Sequence, residues 1–325
     1  MSVKNNVLHI LELNKGCNVS GQELADKLNV SRTAIWKAIN SLKQEGYIID
    51  STYNKGYSLS FDSDVISSEG INIFLNDKYK NIPITIYKSI DSTNTQAKVQ
   101  IMNNAVHGTV IISEEQTKGR GRFGRDFFSP SQSGIYMSII LKPNLNVTDS
   151  VLITTAAAVA VSNAIEKFTE KTPQIKWVND IYINNKKVCG ILSEAVLDFE
   201  SGAVGSIIVG IGLNVKTKEE EFPKELQDIA GSIFYGDEKF CLRNQLAAEI
   251  INQVLSLSED LANKKFLEVY KERSMILGEY IIYYKNNEWF EGYALDIDEY
   301  GGLVIINKDG QKETLQSGEV SIKKL

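Results

Sequence analysis

The chain has 325 residues, 43% of them apolar and 23% charged, the make-up of an ordinary globular protein with more than one buried core and two or three domains. Its net charge of −6 argues against a protein that coats nucleic acid, yet the charge is uneven: residues 1–60 carry seven Lys/Arg against five Asp/Glu, a net +2, and the remainder carries −8. Three scattered cysteines (Cys17, Cys189, Cys241) and two histidines (His9, His107) give neither a disulfide framework nor a ligand set spaced for zinc. The N-terminus, MSVKNNVLHILEL, has only Lys4 as a charge before an amphipathic run and lacks a small-residue cleavage site, so no signal peptide is expected. The most apolar stretch, Val151–Ile165, is short for a bilayer and interrupted by Thr154, Thr155, Ser162 and Asn163, so it reads as a buried helix. No membrane span and a cytoplasmic location are the expectation.

In chain order, Val3, Val7, Ile10 and Leu11 mark a first helix that ends near Asn14-Lys15-Gly16. Ser20 and Glu23 are spaced as a capping box for a second helix, with Val19 and Leu24 placed as a hydrophobic staple, and this helix runs to about Leu28. Ser31 caps a third helix whose apolar side is Ile35, Ile39 and Leu42, closed by Gly46. Two short helices joined by a tight turn, Gly21 to Asn40, make a helix-turn-helix. Tyr47-Ile48-Ile49 and Tyr57-Ser58-Leu59 about Asn54-Lys55-Gly56 then read as a strand pair, the wing of a winged helix. Arg32, Thr33, Trp36 and Lys37 fall on the outward side of the third helix, where such residues meet phosphates and base edges; a protein-binding surface is the alternative.

A polar linker follows at Phe61-Asp62-Ser63-Asp64. Beyond it Ile84–Tyr87, Thr109–Ile112, Gly134–Leu141, Ile175–Trp177, Tyr182–Ile183, Val188–Leu197 and Ser206–Val215 read as strands, while Val151–Phe168 and roughly Leu242–Ser274 read as helical. After Gly278 come the short runs YIIYY, FEGYALDID, GLVIIN and GEVSI, separated by turn residues, which predict a small SH3-like β barrel. The fold class is therefore α+β: a winged helix-turn-helix (residues 1–62), a central α+β domain with a mixed sheet (65–275) and the barrel (276–325).

The chemistry points to Lys118-Gly-Arg-Gly-Arg-Phe-Gly-Arg125, a long polar connection between two strands. Its glycines let the backbone approach a ligand and expose amide N–H groups, and Arg120, Arg122 and Arg125 bring cations to an anion. Alone the loop is ambiguous, because Gly-Arg repeats also occur in RNA-binding segments, and it is not a P-loop. Around it stand Asp91-Ser-Thr-Asn94, Gln116, Lys176-Trp-Val-Asn-Asp180, Lys187-Val-Cys-Gly190 and Gly210-Ile-Gly-Leu-Asn214.

Together these motifs resemble the biotin protein ligase family, and the winged helix ahead and the barrel behind are similar to its repressor-type members. The resemblance implies that Ser92, Thr93, Asn94 and Gln116 hold biotin, a helix cap being the plainer role for Ser92 and Thr93. It implies that Gly119, Arg120, Gly121 and Arg122 cover biotin and adenylate, and that Lys187, fixed in register by Gly190, stands beside the reacting carboxylate and α-phosphate, with Lys186 as its solvated neighbour. Asp180 is a possible carboxylate for Mg²⁺ brought by ATP, or part of a turn; Gly210 and Gly212 are close-approach positions. Phe127 and Val178 depart from a Trp and a Pro common in relatives. The implied activity is ATP-dependent formation of biotinyl-5′-AMP and transfer of biotin to a lysine of a biotin carboxyl carrier protein. Repression at operator DNA by an adenylate-bound homodimer is implied as well. A lipoate or octanoate ligase, and a biotin-sensing repressor without ligase activity, are the alternatives.

Overall fold

The computed structural model describes residues 2–142, 150–197, 204–234 and 242–323. Cys241 lies outside them. The chain divides into two compact units, Met1–Asn81 with Asp237–Glu249, and Ile82–Gly236 with Ile250–Leu325.

The first unit contains α1 (Val3–Leu13), α2 (Gly21–Leu28), α3 (Arg32–Gln44), β1 (Ile49–Thr52), β2 (Gly56–Leu59) and α4 (Ser68–Phe74). The caps read from sequence are in place: Ser20 Oγ accepts the Glu23 N–H at 3.0 Å and Ser31 Oγ that of Ala34 at 3.2 Å, each relieving an orphan donor of a first turn. The reciprocal half of the expected capping box is not made: the Glu23 carboxylate pairs with Lys27 one turn on instead. Val7, Leu11, Leu24, Ile35, Ile39, Leu42 and Leu59 form the dry core. The first wing strand starts two residues later than the apolar pattern suggests, because the Tyr47 N–H bonds back to Leu42 O and closes α3. β1 and β2 pair antiparallel with Thr52 opposite Gly56. Gly56 has φ +99°, and a Cβ there would lie 2.1 Å from Val19 O, so no side chain fits where the wing crosses the start of the helix-turn-helix.

The polar linker is anchored. Asp64 takes the buried guanidinium of Arg243 (Nε to Oδ2, 3.0 Å), and Asn244 accepts the Ser67 N–H and donates to Val65 O, both at 3.0 Å. α4, about two turns capped by Ser67, carries too few residues to show a helical period in the sequence.

In the second unit β3 (Ile84–Tyr87), β4 (Thr109–Ser113), β5 (Gly134–Leu141), β6 (Gln174–Lys176), β7 (Asp180–Ile183), β8 (Lys186–Leu197) and β9 (Val204–Asn214) form one mixed sheet in the order β3-β4-β5-β9-β8-β7-β6. Only β3 and β4 run parallel; the other pairs are antiparallel. β5 is buried at all eight positions, hence a sequence that is apolar but for Ser138. α5 (Thr93–Met102) packs on β4, β5 and β9, and α6 (Ser150–Phe168) on β7, β8 and β9. α6 extends beyond the apolar stretch ending at Ile165 and over Val151–Phe168 is long and apolar enough to cross a membrane, but 72% of that window is buried within the protein, as befits a core helix.

The region expected to be helical to Ser274 breaks into α7 (Arg243–Glu259) and α8 (Phe266–Glu272), around a 3₁₀ turn at Leu261–Asn263 that ends on Lys264 with φ +57°. The C-terminal strands β10 (Tyr280–Lys285), β11 (Glu288–Ile297), β12 (Leu303–Asn307), β13 (Lys312–Leu315) and β14 (Val320–Ile322) form an all-antiparallel sheet in the order β13-β12-β11-β10-β14. β13 escaped the sequence reading because KETL alternates charge with only one buried apolar residue.

Candidate active site

The second unit encloses a cavity of about 330 Å³, within the range of small-molecule sites. Its floor is made by glycines on paired strands. Gly190 of β8 stands opposite Gly212 of β9, and the Phe127 ring lies against both; a Cβ on Gly212 would sit 2.5 Å from that ring. A Cβ on Gly210 would lie 2.2 Å from Asn94 Oδ1. These glycines are close-approach positions because neighbouring side chains occupy the space a Cβ would need.

One end of the cavity is neutral and rich in hydrogen-bonding groups. α5 begins there, so Ser92, Thr93 and Asn94 line the wall at a helix N-terminus. Ser92 holds the cap position but its side chain makes no capping bond, so its hydroxyl is not committed to the helix. The Thr93 N–H donates to Gln116 Oε1 at 2.8 Å, and Gln116 Nε2 donates to Ser129 Oγ at 3.0 Å. Ser138 on β5, fully buried, has its Oγ 2.8 Å from Thr93 Oγ1 and 2.6 Å from Asn94 Oδ1.

The other end is cationic. Arg120, Arg122, Arg125, Lys176 and Lys187 line the cavity against Asp126, Asp180 and Glu319, an excess of positive charge suited to an anion. Lys187 is presented by the β7–β8 hairpin, whose turn residues Asn184 and Asn185 both have positive φ, and its Nζ pairs with Asp180 Oδ1 at 2.7 Å. Lys186, next to it, turns away to Gln227 O. Arg122 donates to Asn179 Oδ1 at 3.1 Å and to Gly318 O at 3.4 Å, and Arg125 forms an ion pair with Glu319. Burial pulls the Arg122 pKa below its ordinary value, against the opposing pull of Asp180 and Glu319. Burial likewise lowers Lys176, with Asp180 opposing and Lys187 adding to the shift. Cations held partly dry in this way act more strongly on a bound charge than cations in water.

The cavity thus gathers Ser92, Thr93, Asn94, Gln116, Arg120, Gly121, Arg122, Asp180, Lys187 and Gly190 from the sequence analysis. Gly119 is not on its wall; a Cβ there would lie 2.3 Å from Phe127 O, so this glycine lets the two arms of the loop close on each other. The turn between β6 and β7 is Trp177–Asn179, and Asp180 opens the strand. Sequence reasoning did not single out Asn179, the segment Leu226–Ala230 or Gly318–Ser321 of the C-terminal sheet. Asn179 lies within the Lys176–Asp180 motif but was given no role of its own, the other two segments carry no motif, and Gly318 comes to Arg122 only through tertiary folding.

In the first unit a concavity lies between the helix-turn-helix and the wing, lined by Arg32, Thr33 and Trp36 of α3 and by Tyr53 and Asn54 of the wing, among others. Lys37 is exposed on α3 but is not part of that lining. Trp36 is 56% and Tyr53 90% exposed, a placement no packing role explains.

Residues 86–214 match the biotin/lipoate A/B protein ligase family, residues 3–58 an HTH domain and residues 280–323 the biotin protein ligase C-terminal domain. The chain is 34% identical over 298 residues to the bifunctional ligase/repressor BirA of Bacillus subtilis, covering 91% of each. It is 27% identical to the protein of the same description from Escherichia coli, covering 94% of this chain and 92% of that one. Among solved structures, the biotin protein ligase from Aquifex aeolicus in complex with biotin and ATP superposes with a TM-score of 0.61 at 28% identity, over 75% of this chain and 99% of the other.

Proposed function

The chain belongs to the biotin protein ligase family of bifunctional ligase/repressors, and from that premise we propose that it joins biotin to AMP, passes the biotin to a lysine of a carrier protein, and represses transcription through its helix-turn-helix. The observation that carries the ligase reading is one cavity with a neutral hydrogen-bonding end at Thr93, Asn94 and Gln116 and a cationic end at Lys187 and Arg122, divided by the Phe127 ring over paired glycines. Biotin has the matching polarity: a ureido ring with N–H donors and a carbonyl acceptor at one end, an apolar middle, and a carboxylate at the other.

In the first step the biotin carboxylate oxygen bonds to the α-phosphorus of ATP and the bond to pyrophosphate breaks. In the second the amine of the acceptor lysine bonds to the activated carbonyl and AMP leaves. The substrates bring both nucleophiles, so the protein supplies alignment and charge. Lys187 and Arg122 face the carboxylate and phosphoryl oxygens, while Gln116 and the start of α5 hold the ring. Gly119, Arg120 and Gly121 belong to the loop that covers the adenylate and keeps water from the mixed anhydride.

Among the described residues no three His, Cys, Asp or Glu side chains converge on a metal site. Mg²⁺ carried by ATP needs only one or two protein carboxylates, and Asp180, already beside Lys187, fits that modest demand. There the ion would offset phosphate charge.

Residues 65–275 carry this chemistry in the proposal, the sheet at 276–325 supplies part of the cavity wall, and residues 1–62 read operator DNA. Arg32, Thr33, Trp36 and Lys37 face the duplex. Adenylate would favour a homodimer along a sheet edge, placing two helix-turn-helix heads on a two-fold operator. Sedimentation of the apo and adenylate-bound protein tests this, and equal association in the two states would rule it out.

ATP–pyrophosphate exchange run with biotin, with lipoate and with neither tests the ligase reading. Exchange dependent on biotin alone is the expected result. Exchange with lipoate would move the substrate to the neighbouring class, and none at all would leave a ligand-sensing repressor.

A further inference from the structure

Buried polar groups must be oriented consistently, because a hydroxyl has one proton to give and a side-chain amide has a single donor end. Asn94, 4% exposed, sets one end of its amide against two oxygens, Leu192 O at 3.3 Å and Glu194 Oε2 at 2.8 Å. A main-chain carbonyl cannot donate. Glu194 is kept ionised: burial pushes its pKa up, but hydrogen bonds from Lys98, whose Nζ is 2.7 Å from Oε1, and from Asn94 outweigh that and leave it below the ordinary carboxylate value. Asn94 Nδ2 therefore faces Glu194, and Oδ1 faces the Ser138 hydroxyl.

That choice propagates. Asn94 Oδ1 can only accept, so the single Ser138 proton, 2.6 Å away, goes to it. The 2.8 Å contact between Ser138 Oγ and Thr93 Oγ1 must then be made by the Thr93 proton, in preference to the longer 3.2 Å approach of Thr93 Oγ1 to Gln116 Oε1. Gln116 is fixed from its far side: Ser129 Oγ donates to Phe127 O and receives Gln116 Nε2, so Gln116 Oε1 is turned to the Thr93 N–H. Gly210 makes room for the Asn94 amide in this position. With its proton drawn into the protein, Thr93 Oγ1 offers only lone pairs to the cavity it lines.

We propose that Glu194 is a positioning residue for substrate recognition: acting through Asn94 and Ser138, it turns the Thr93 proton away from the cavity and makes Thr93 Oγ1 an acceptor for a substrate N–H. The proposal deepens the ligase reading and rests on its placement of the ureido ring at this end. In Glu194→Gln the Lys98 ammonium keeps the side-chain oxygen, so the new amide nitrogen faces Asn94, and Asn94 turns over, giving up its long 3.3 Å bond to Leu192 O to keep the shorter contact at residue 194. Ser138 then receives a proton from Asn94 and gives its own to Thr93, and the Thr93 proton becomes available to Gln116 or to the ligand.

The test is calorimetric binding by the full chain of biotin and of its two cyclic carbamate analogues, in which a ring oxygen replaces one ureido N–H. The wild type is expected to reject one analogue by roughly a hundredfold or more, because a site of fixed polarity is left unpaired by a ligand that lacks the donor. Glu194→Gln is expected to shrink that ratio at least roughly tenfold. Thr93→Val should raise the biotin Kd roughly tenfold, the loss of one hydrogen bond, and Glu194→Gln should add nothing in that background. If Thr93→Val weakens biotin while Glu194→Gln leaves the ratio at its wild-type value, whatever it does to overall affinity, the proposal is overturned and the placement of biotin stands. If Thr93→Val binds biotin as the wild type does and neither analogue is rejected, the ring does not lie at Thr93 and that placement falls, taking the proposal with it.

Discussion

Lys187 Nζ and Asp180 Oδ1 are 2.7 Å apart across the β7–β8 hairpin, so the fold itself holds this cation of the charged end of the cavity in place. Both side chains are about three-quarters buried. A charge placed in advance needs no reorganisation when negative charge develops on the phosphoryl group.

Lys187→Ala is therefore expected to lower biotin-dependent pyrophosphate exchange by roughly two to three orders of magnitude, the usual effect of removing one pre-placed charge donor. Steady-state exchange at saturating biotin and ATP measures it. Exchange within about threefold of wild type would remove Lys187 from the reacting end.

Arg122 ties the Gly-Arg loop to Asn179 and to Gly318 of the C-terminal sheet. Arg122→Gly removes both ties and adds backbone freedom. The variant is expected to form the adenylate and lose it early, seen as faster escape of labelled biotinyl-AMP on gel filtration. Retention equal to wild type would show that the loop closes without Arg122.

Gly212→Ala places a methyl 2.5 Å from the Phe127 ring, which must move. Biotin binding is expected to weaken by about 1–3 kcal/mol, the range for overpacking a tight site. Phe127→Ala should weaken binding too, yet Gly212→Ala should cost nothing further in that background. Additive losses in calorimetry would mean the methyl acts elsewhere.

Arg32→Ala and Trp36→Ala should weaken operator binding with pyrophosphate exchange unchanged. If Arg32 meets a phosphate, the slope of log affinity against log salt should fall by about one. An unchanged slope with reduced affinity would assign Arg32 to a base edge instead.

Arg243, 1% exposed, is paired with Asp64, and removing one partner strands the other charge. Asp64→Ala is expected to cost about 3–5 kcal/mol of stability. Asp64→Ala together with Arg243→Met should recover much of it. Denaturant titration followed by a probe in the first unit measures both.

The parts of the fold with strong local signals were legible. Ser20 and Ser31 cap their helices because a hydroxyl before an apolar period satisfies orphan N–H groups wherever it occurs. β5 was legible because burial on both faces leaves a run that is apolar at nearly every position. α4 was not, since seven residues are too few to set a helical period, and β13 was not, since KETL offers a single buried apolar side chain. The same contrast holds at the site. Arg122 and Lys187 stand in motifs, whereas Ser138 is one polar residue in an apolar strand, and its meaning appears only when Thr93 and Asn94 are found against it. Gly318 carries no sequence signal because its part is played by a main-chain carbonyl.

The cavity wall draws on the first residues of α5 and on β14, and Arg125 of the Gly-Arg loop is ion-paired with Glu319 just ahead of β14. Local opening of the small C-terminal sheet therefore breaks the wall, and a ligand that binds only the closed wall must suppress such opening. Occupancy becomes legible far from the reacting atoms: amide hydrogens of β10 and β14, which pair through Ile281 and Ile322, should exchange more slowly when the adenylate is bound. The sheet that lends one loop to the site would then act as its reporter.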